Sequence, residues 1–252
     1  MAGHLANCGG YMKNAFEHLI VIGRPACGKS EFIDFMKNRV SDEERLVKYH
    51  IAPFEEMDDF VWLWQKCEED DIWEKMGEKR LVSTKSDHAY LITNWDLYDF
   101  LIEKFNYELN ERYILKPEFY DKKTLLIEFS RGTKDAYKNA LWRLSGDILK
   151  RAAILYIKVS FEESFRKNDA RYKEKLKHSI LAHKVPDEEM YEYYKVDDWN
   201  DLTNGAENGR LEINGIKVPF VTMNNEPEIK EPEELDKRYG GALRRLMELK
   251  NS

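Results

Sequence analysis

The sequence is poor in cysteine: Cys8, Cys27 and Cys67 are the three in 252 residues. They show no metal-ligand spacing and cannot all pair with one another, so a reducing, cytoplasmic setting is expected. Long hydrophobic runs are also missing. The strongest, Leu19 to Ile22, spans four residues, against the roughly 18 to 20 that a membrane-spanning helix needs. The opening stretch MAGHLANCGGYMKNAF has no continuous apolar core of the kind a secretory signal carries, and Ala2 breaks the myristoylation pattern. No membrane partner is therefore expected. Positive charge is in deficit as well: 40 Lys and Arg against 47 Asp and Glu leave a formal charge of −7. That argues against nucleic acid as a partner, because phosphate contacts need a basic surplus. No self-similar period is visible, which argues against a helical repeat.

What is present is an ordinary globular composition on the charged side, with 42% hydrophobic and 35% charged residues. The length fits one large α/β domain or two small ones. His18 to Gly23 is a short β-branched run ending in glycine, the pattern of a buried parallel strand. After it, Phe32, Ile33, Met36 and Val40 recur at helical spacing. Leu46 to Ile51, closed by Ala52 and Pro53, reads as a second strand, and Thr124 to Ser130 as a third. The spacing of Ala136, Leu141, Leu144 and Ile148 predicts a helix over 134–150, and Ala153 to Ser160 reads as a fourth strand. Asn214-Gly215 flanked by alternating residues signals a hairpin across 210–218, with Val218 to Met223 as a fifth strand that Pro219 weakens. A helix from Glu233 to Lys250 closes the chain.

Strands alternating with helices predict a parallel sheet covered on both faces. The stretch 54–120 breaks that rhythm. It is acidic, holds Trp62, Trp64, Trp73 and Trp95, and carries a helical stripe of Tyr98, Leu101, Phe105 and Leu109 with Thr93 or Asn94 as a cap, so it reads as a mostly helical insert.

The segment Gly23, Arg24, Pro25, Ala26, Cys27, Gly28, Lys29, Ser30 satisfies G-x-x-x-x-G-K-S between a strand and a helix. Glycines at those two places let the backbone turn its N–H groups and the helix N-terminus toward phosphate oxygens. Lys29 then supplies a cation to the β- and γ-phosphates, and the Ser30 hydroxyl can ligate Mg²⁺.

With this loop (a Walker A pattern), the strand at 125–130 and an arginine-bearing segment after the fourth strand, the sequence resembles the P-loop kinases related to adenylate kinase and the nucleoside and nucleotide kinases. The resemblance covers about half the chain and implies a three-layer P-loop NTPase fold with a parallel sheet of about five strands, a substrate-binding insert and a lid. The implied organisation is a core in three parts (1–53, 121–160 and 210–252), a helical substrate-binding insert at 54–120 and a lid-like segment at 161–209. Ala26 stands where adenylate kinases usually carry glycine, so the match is to the superfamily. By the same resemblance, Arg166 and Arg171 are lid residues that meet the transferred phosphoryl group; the alternative is a solvated helix, since Lys173, Glu174, Lys175 and Lys177 follow. His178 and His183 are not read as metal ligands.

Glu128 falls near the end of the third strand, where the resemblance implies an acidic residue that holds the Mg²⁺ shell or the acceptor, and Arg131, three residues on, is expected to form a fork with an acceptor's phosphate or carboxylate. A structural Glu–Arg contact is the alternative. Glu55, Glu56, Asp58 and Asp59 follow the second strand where such kinases meet their acceptor, although an acidic surface helix explains them too. Asn224 to Pro227 lie where related enzymes edge the adenine, or form a plain turn. The expected activity is transfer of the γ-phosphoryl group of Mg-ATP to a small nucleoside-like or nucleotide-like acceptor. The alternative is a nucleotide-binding regulatory module with little turnover. No Asn-Lys-x-Asp motif and no Asp-x-x-Gly after the third strand occurs, which argues against a GTPase. Acidity, and the lack of a paired Asp-Glu after that strand, argue against a DNA-dependent motor. The sequence leaves the acceptor and the oligomeric state open.

Overall fold

The computed structural model describes residues 14–86, 89–176 and 184–252. Cys8, His178 and His183 lie outside the described residues.

Six strands form the main sheet: β1 (His18–Ile22), β2 (Phe54–Asp58), β5 (Thr124–Phe129), β6 (Ala152–Lys158), β7 (Asn208–Ile213) and β8 (Ile216–Asn224), in the spatial order β2-β5-β1-β6-β8-β7. Five of them run parallel, and β7 is an antiparallel edge strand joined to β8 by the Asn214-Gly215 turn. Both turn residues have positive φ, 51° and 77°, as a two-residue hairpin turn demands. Pro219 lies one residue before β8 begins to pair with β6 at Phe220. β3 (Ser83–Ser86) and β4 (Ala89–Ile92) make a separate two-stranded hairpin.

Successive side chains of a strand point to opposite faces, and the central strands bury both. Ile20, Ile22, Leu125, Ile127 and Ile154 pack under α4 (Asp96–Leu109), α5 (Ala136–Arg143), α6 (Gly146–Arg151) and α9 (Trp199–Leu202). Leu19, Val21, Leu126, Leu155 and Ile157 pack under α1 (Lys29–Asn38), α2 (Asp42–Tyr49) and α10 (Pro232–Asn251). The result is three layers, helices on either side of a mostly parallel sheet. No helix among the described residues is long and apolar enough to cross a membrane.

Three readings of the sequence are corrected here. The expected strand at Leu46 to Ile51 is the second half of helix α2 and the turn after it: Ser41 caps the helix by accepting from the Glu44 N–H at 3.2 Å, and Asp42, Glu43 and Glu44 fill its first turn, where the helix dipole favours negative charge. The true second strand is β2, inside the stretch assigned to the insert. It hides there because it is a sheet edge whose Glu55 and Glu56 are offset by Lys123 and Lys37, at 2.7 and 2.5 Å, while Met57 points into the core. The single helix expected over 134–150 is two helices, because Ser145 starts a new N-cap by accepting from Ile148 N–H.

The stretch expected as an insert, 54–120, holds β2, α3 (Asp59–Lys75), the β3–β4 hairpin, α4, which runs on into a π-helical turn at Asn110–Ile114, and a 3-10 turn at Pro117–Phe119. The segment expected as a lid comprises α7 (Phe161–Leu176), α8 (Asp187–Glu192) and α9. These two segments share a core: Cys67, Ile92, Leu97 and Leu101 of the first pack with Met190, Tyr193 and Tyr194 of the second. Tyr98 stacks on Tyr193 with centroids 4.6 Å apart and 7° between planes. Its hydroxyl donates to Glu189 at 2.7 Å.

Candidate functional site

The connections from β1 and β6 leave in opposite directions, one toward β2 and the other toward β8. In an open parallel sheet the crevice at such a reversal, beyond the carboxyl ends of the strands, is the ligand site. The loop 23–28 occupies it, and α1 starts from it.

The loop's shape is imposed by contacts from distant segments. Gly23 and Gly28 have φ of 153° and 110°. A Cβ on Gly23 would stand 2.4 Å from the Ile157 carbonyl oxygen, and one on Gly28 would stand 2.3 Å from Asn225 Nδ2, so no side chain fits at either place. The Asn225 amide donates to the Cys27 carbonyl at 2.8 Å and is itself held by Arg238 at 2.8 Å. Ser164 of α7 donates to the Pro25 carbonyl at 2.6 Å. Arg24 points away from the cleft, pairs with Asp197 at 2.7 Å, and donates to the Tyr194 and Val159 carbonyls. Ala26 takes a φ of 54°, a left-handed conformation that costs an L-residue on the order of 1 kcal/mol.

Unlike α2, α3 and α6, helix α1 has no side-chain cap. Its first amides keep the unmet donors and positive dipole end that suit an anion. Lys29 is buried at the head of the helix. Its Nζ donates to Ser130 Oγ at 2.7 Å and to the Gly23 and Arg24 carbonyls at 3.1 Å each, with Glu128 4.0 Å away. Ser30 is exposed beside it.

Two cavities meet at this helix end. One, of about 240 Å³, is lined from the loop by Ala26, Lys29 and Ser30, from β2 and α3 by Asp58 and Asp59, and from β5 by Glu128 and Ser130. Asn168 and Arg171 of α7 and Lys184 close it opposite. The other, of about 420 Å³, is lined by Gly28, Ser30, Arg39, Lys167, Asn225 and Tyr239. Ser30 belongs to both.

Three acidic side chains, Asp58, Asp59 and Glu128, gather in the first cavity. Asp58 and Glu128 are cross-strand partners at the carboxyl ends of β2 and β5. Burial, with Glu128 and Asp59 close by, pushes Asp58 up to about 7. Burial also raises Glu128, against the pull of Lys29. Asp59 is neutralised locally: Arg131 donates to its Oδ2 at 2.7 Å and to the Ser130 and Tyr98 carbonyls. Burial works against the charge on Arg131, but Asp59 more than offsets it and holds the guanidinium pKa above its ordinary value.

Of the residues singled out in the sequence, Lys29, Ser30, Asp58, Asp59, Glu128 and Arg171 line one cleft. Others are placed elsewhere. Arg131 lies buried behind the cleft wall, paired with Asp59 and not with Glu128, so it offers no fork to an acceptor. Glu55 faces outward, held by Lys123 and Tyr113. Arg166 is exposed and pairs with Glu163 at 2.6 Å and Glu228 at 3.5 Å, because five positions rather than three, four or seven separate it from Arg171 on the helix. Sequence reasoning missed Ser130, Ser164, Asn168 and Asp197. Each acts through a partner 17 or more positions away, and no local pattern marks it.

Among the described residues no group of three or more His, Cys, Asp or Glu side chains is placed to hold a metal ion. Mg²⁺ needs no such cage, since it keeps several waters and takes one or two carboxylates with phosphate oxygens. Ser30 and Glu128 offer hard oxygen donors of that kind on one cleft, and residues of that chemistry fit the ion.

The structure defines a three-layer α/β protein with a cleft at the topological switch of its sheet. No family model matches the chain, and no curated protein does. Among solved structures, one described as "Crystal structure of APE1195" overlaps 93% of this chain and 98% of its own, at 11% identity and a TM-score of 0.42. A likeness of that degree carries no argument about fold or function.

Proposed function

We propose that the protein is a P-loop kinase that transfers the γ-phosphoryl group of Mg-ATP to a small acceptor. The observation that carries this reading is the uncapped start of α1, with Lys29 and Ser30, standing between two cavities. A triphosphate lying along the loop would have its nucleoside in the cavity edged by Asn225 and Tyr239. Its γ-phosphate would then lie at the cavity that holds Asp58 and Glu128.

In that arrangement the loop amides and Lys29 bind the β- and γ-phosphates, with Lys29 exchanging its bonds to the loop carbonyls for phosphate oxygens. Ser30 and Glu128 would hold Mg²⁺, which when bound would supply positive charge to offset that of the phosphates. Arg171 approaches from α7 to meet charge on the equatorial oxygens. The acceptor oxygen forms its bond to the γ-phosphorus while the bond from that phosphorus to the bridging oxygen breaks, and the electron pair leaves with ADP. Asp58 orients the acceptor and takes its proton, a role suited to a carboxylate poised near neutrality.

The test is ADP formation with and without acceptors. Acceptor-dependent ADP is expected from the wild type and should fall at least about 10²-fold in Lys29→Ala, with the melting transition retained. Undiminished turnover in a folded Lys29→Ala protein overturns the reading.

A further inference from the structure

We infer that the acceptor is a hydroxyl compound with an apolar or aromatic body and no anionic group, so that phosphate esters are rejected. This rests on the kinase reading above and specifies its second substrate.

The acceptor end of the cleft has two kinds of wall. Phe60 and Leu63 of α3, Tyr98 of α4, Phe129 of β5 and Tyr194 supply flat and apolar surface. Beside that surface two carboxyl groups, Asp58 and Glu128, lie side by side across β2 and β5. A hydroxyl can donate to such a carboxylate, whereas a phosphate ester brings a second anion against it.

No cation stands ready to reverse that sign. Arg131, 2% exposed, is held by Asp59 and two carbonyls behind the wall. Lys184 pairs with Asp187 at 2.6 Å and with Asp169 at 3.5 Å. Lys29 belongs to the loop. Arg171 sits two helical turns beyond Ser164, the residue that ties α7 to Pro25, and is taken up by the transferred phosphoryl group. Among the described residues no other Lys or Arg lines this cavity, so a second phosphate would meet the Asp58 and Glu128 carboxyls with no uncommitted cation beside them.

The experiment pairs each hydroxyl compound with its own phosphate ester: nucleosides with their monophosphates, sugars with sugar phosphates, amino alcohols with their phosphorylated forms. ADP release is measured for each with Mg-ATP, and the same preparation is titrated calorimetrically with a non-hydrolysable ATP analogue. At least one parent compound should be used about 10²-fold better than its ester, the scale on which like-charge contacts exclude a wrong partner. An ester used as well as or better than its parent overturns the inference while leaving the kinase reading intact. So does analogue binding with no parent compound active. Failure of the analogue to bind removes the kinase reading itself, and this inference with it.

Discussion

The two ends of the cleft are made by different means. At the loop end the backbone does the shaping: two glycines at positive φ, with no room for a Cβ, and carbonyls pinned by Asn225 and Ser164. At the acid end the backbone is ordinary strand and helix, and the character comes from side chains, with Asp58 and Glu128 meeting across two strands and Asp59 offset by Arg131. A backbone-made site tolerates few substitutions because its cost is steric. A charge-made site tolerates shape-preserving changes but answers strongly to the sign and pairing of each group.

The sharpest test of that contrast lies within the acid end, where adjacent aspartates should behave oppositely. Asp59→Asn leaves the Arg131 guanidinium buried without its counter-ion, a loss of roughly 3–5 kcal/mol. The melting temperature should fall by about 10 °C or more on that account. A change of a degree or two would mean that Arg131 finds another partner and that the pair does not hold the wall.

At the loop end, Gly23→Ala drives a Cβ against the Ile157 carbonyl of β6. Backbone has to move, at a cost of about 3 kcal/mol, and thermal melting together with triphosphate titration will show whether stability and binding are lost together. Retention of both would erase the distinction between the two ends.

Asp58→Asn should have the smaller effect and the opposite sign. With its pKa raised to about 7, Asp58 in the folded protein holds a proton that the unfolded chain has already released, so its contribution to stability declines as pH rises from the ordinary carboxylate range to about 7. Asn lacks that decline and still accepts from the Phe60 N–H, as Asp58 does at 2.9 Å. The variant should therefore be more stable than the wild type by about 1–2 kcal/mol near pH 8 and equal to it near pH 4. Melting curves across that range check it; a variant less stable at both ends of the range would show that Asp58 is paired in a way the cleft geometry does not provide.

The same division explains what could be read from the amino-acid sequence. The loop was legible because its requirements fall on eight consecutive residues, and the buried strands β1, β5 and β6 were legible because both of their faces are apolar. Strand β2 was not: at an edge, half-exposed and acidic, it carries no hydrophobic period, and the apolar run before it is divided between the end of α2 and the turn that follows. Nor could pairing be read. Arg131 and Asp59, 72 positions apart, meet only because α3 and the end of β5 converge, and the shared core of the 54–120 and 161–209 segments depends on Tyr98 reaching residues 91 to 96 positions away.

A calorimetric titration with a magnesium-bound non-hydrolysable ATP analogue addresses the central claim most directly. One equivalent should bind the wild type and be bound far more weakly by Lys29→Ala. Absence of binding to the wild type, or equal binding by both proteins, would contradict the assignment of the Gly23–Ser30 loop as the triphosphate site.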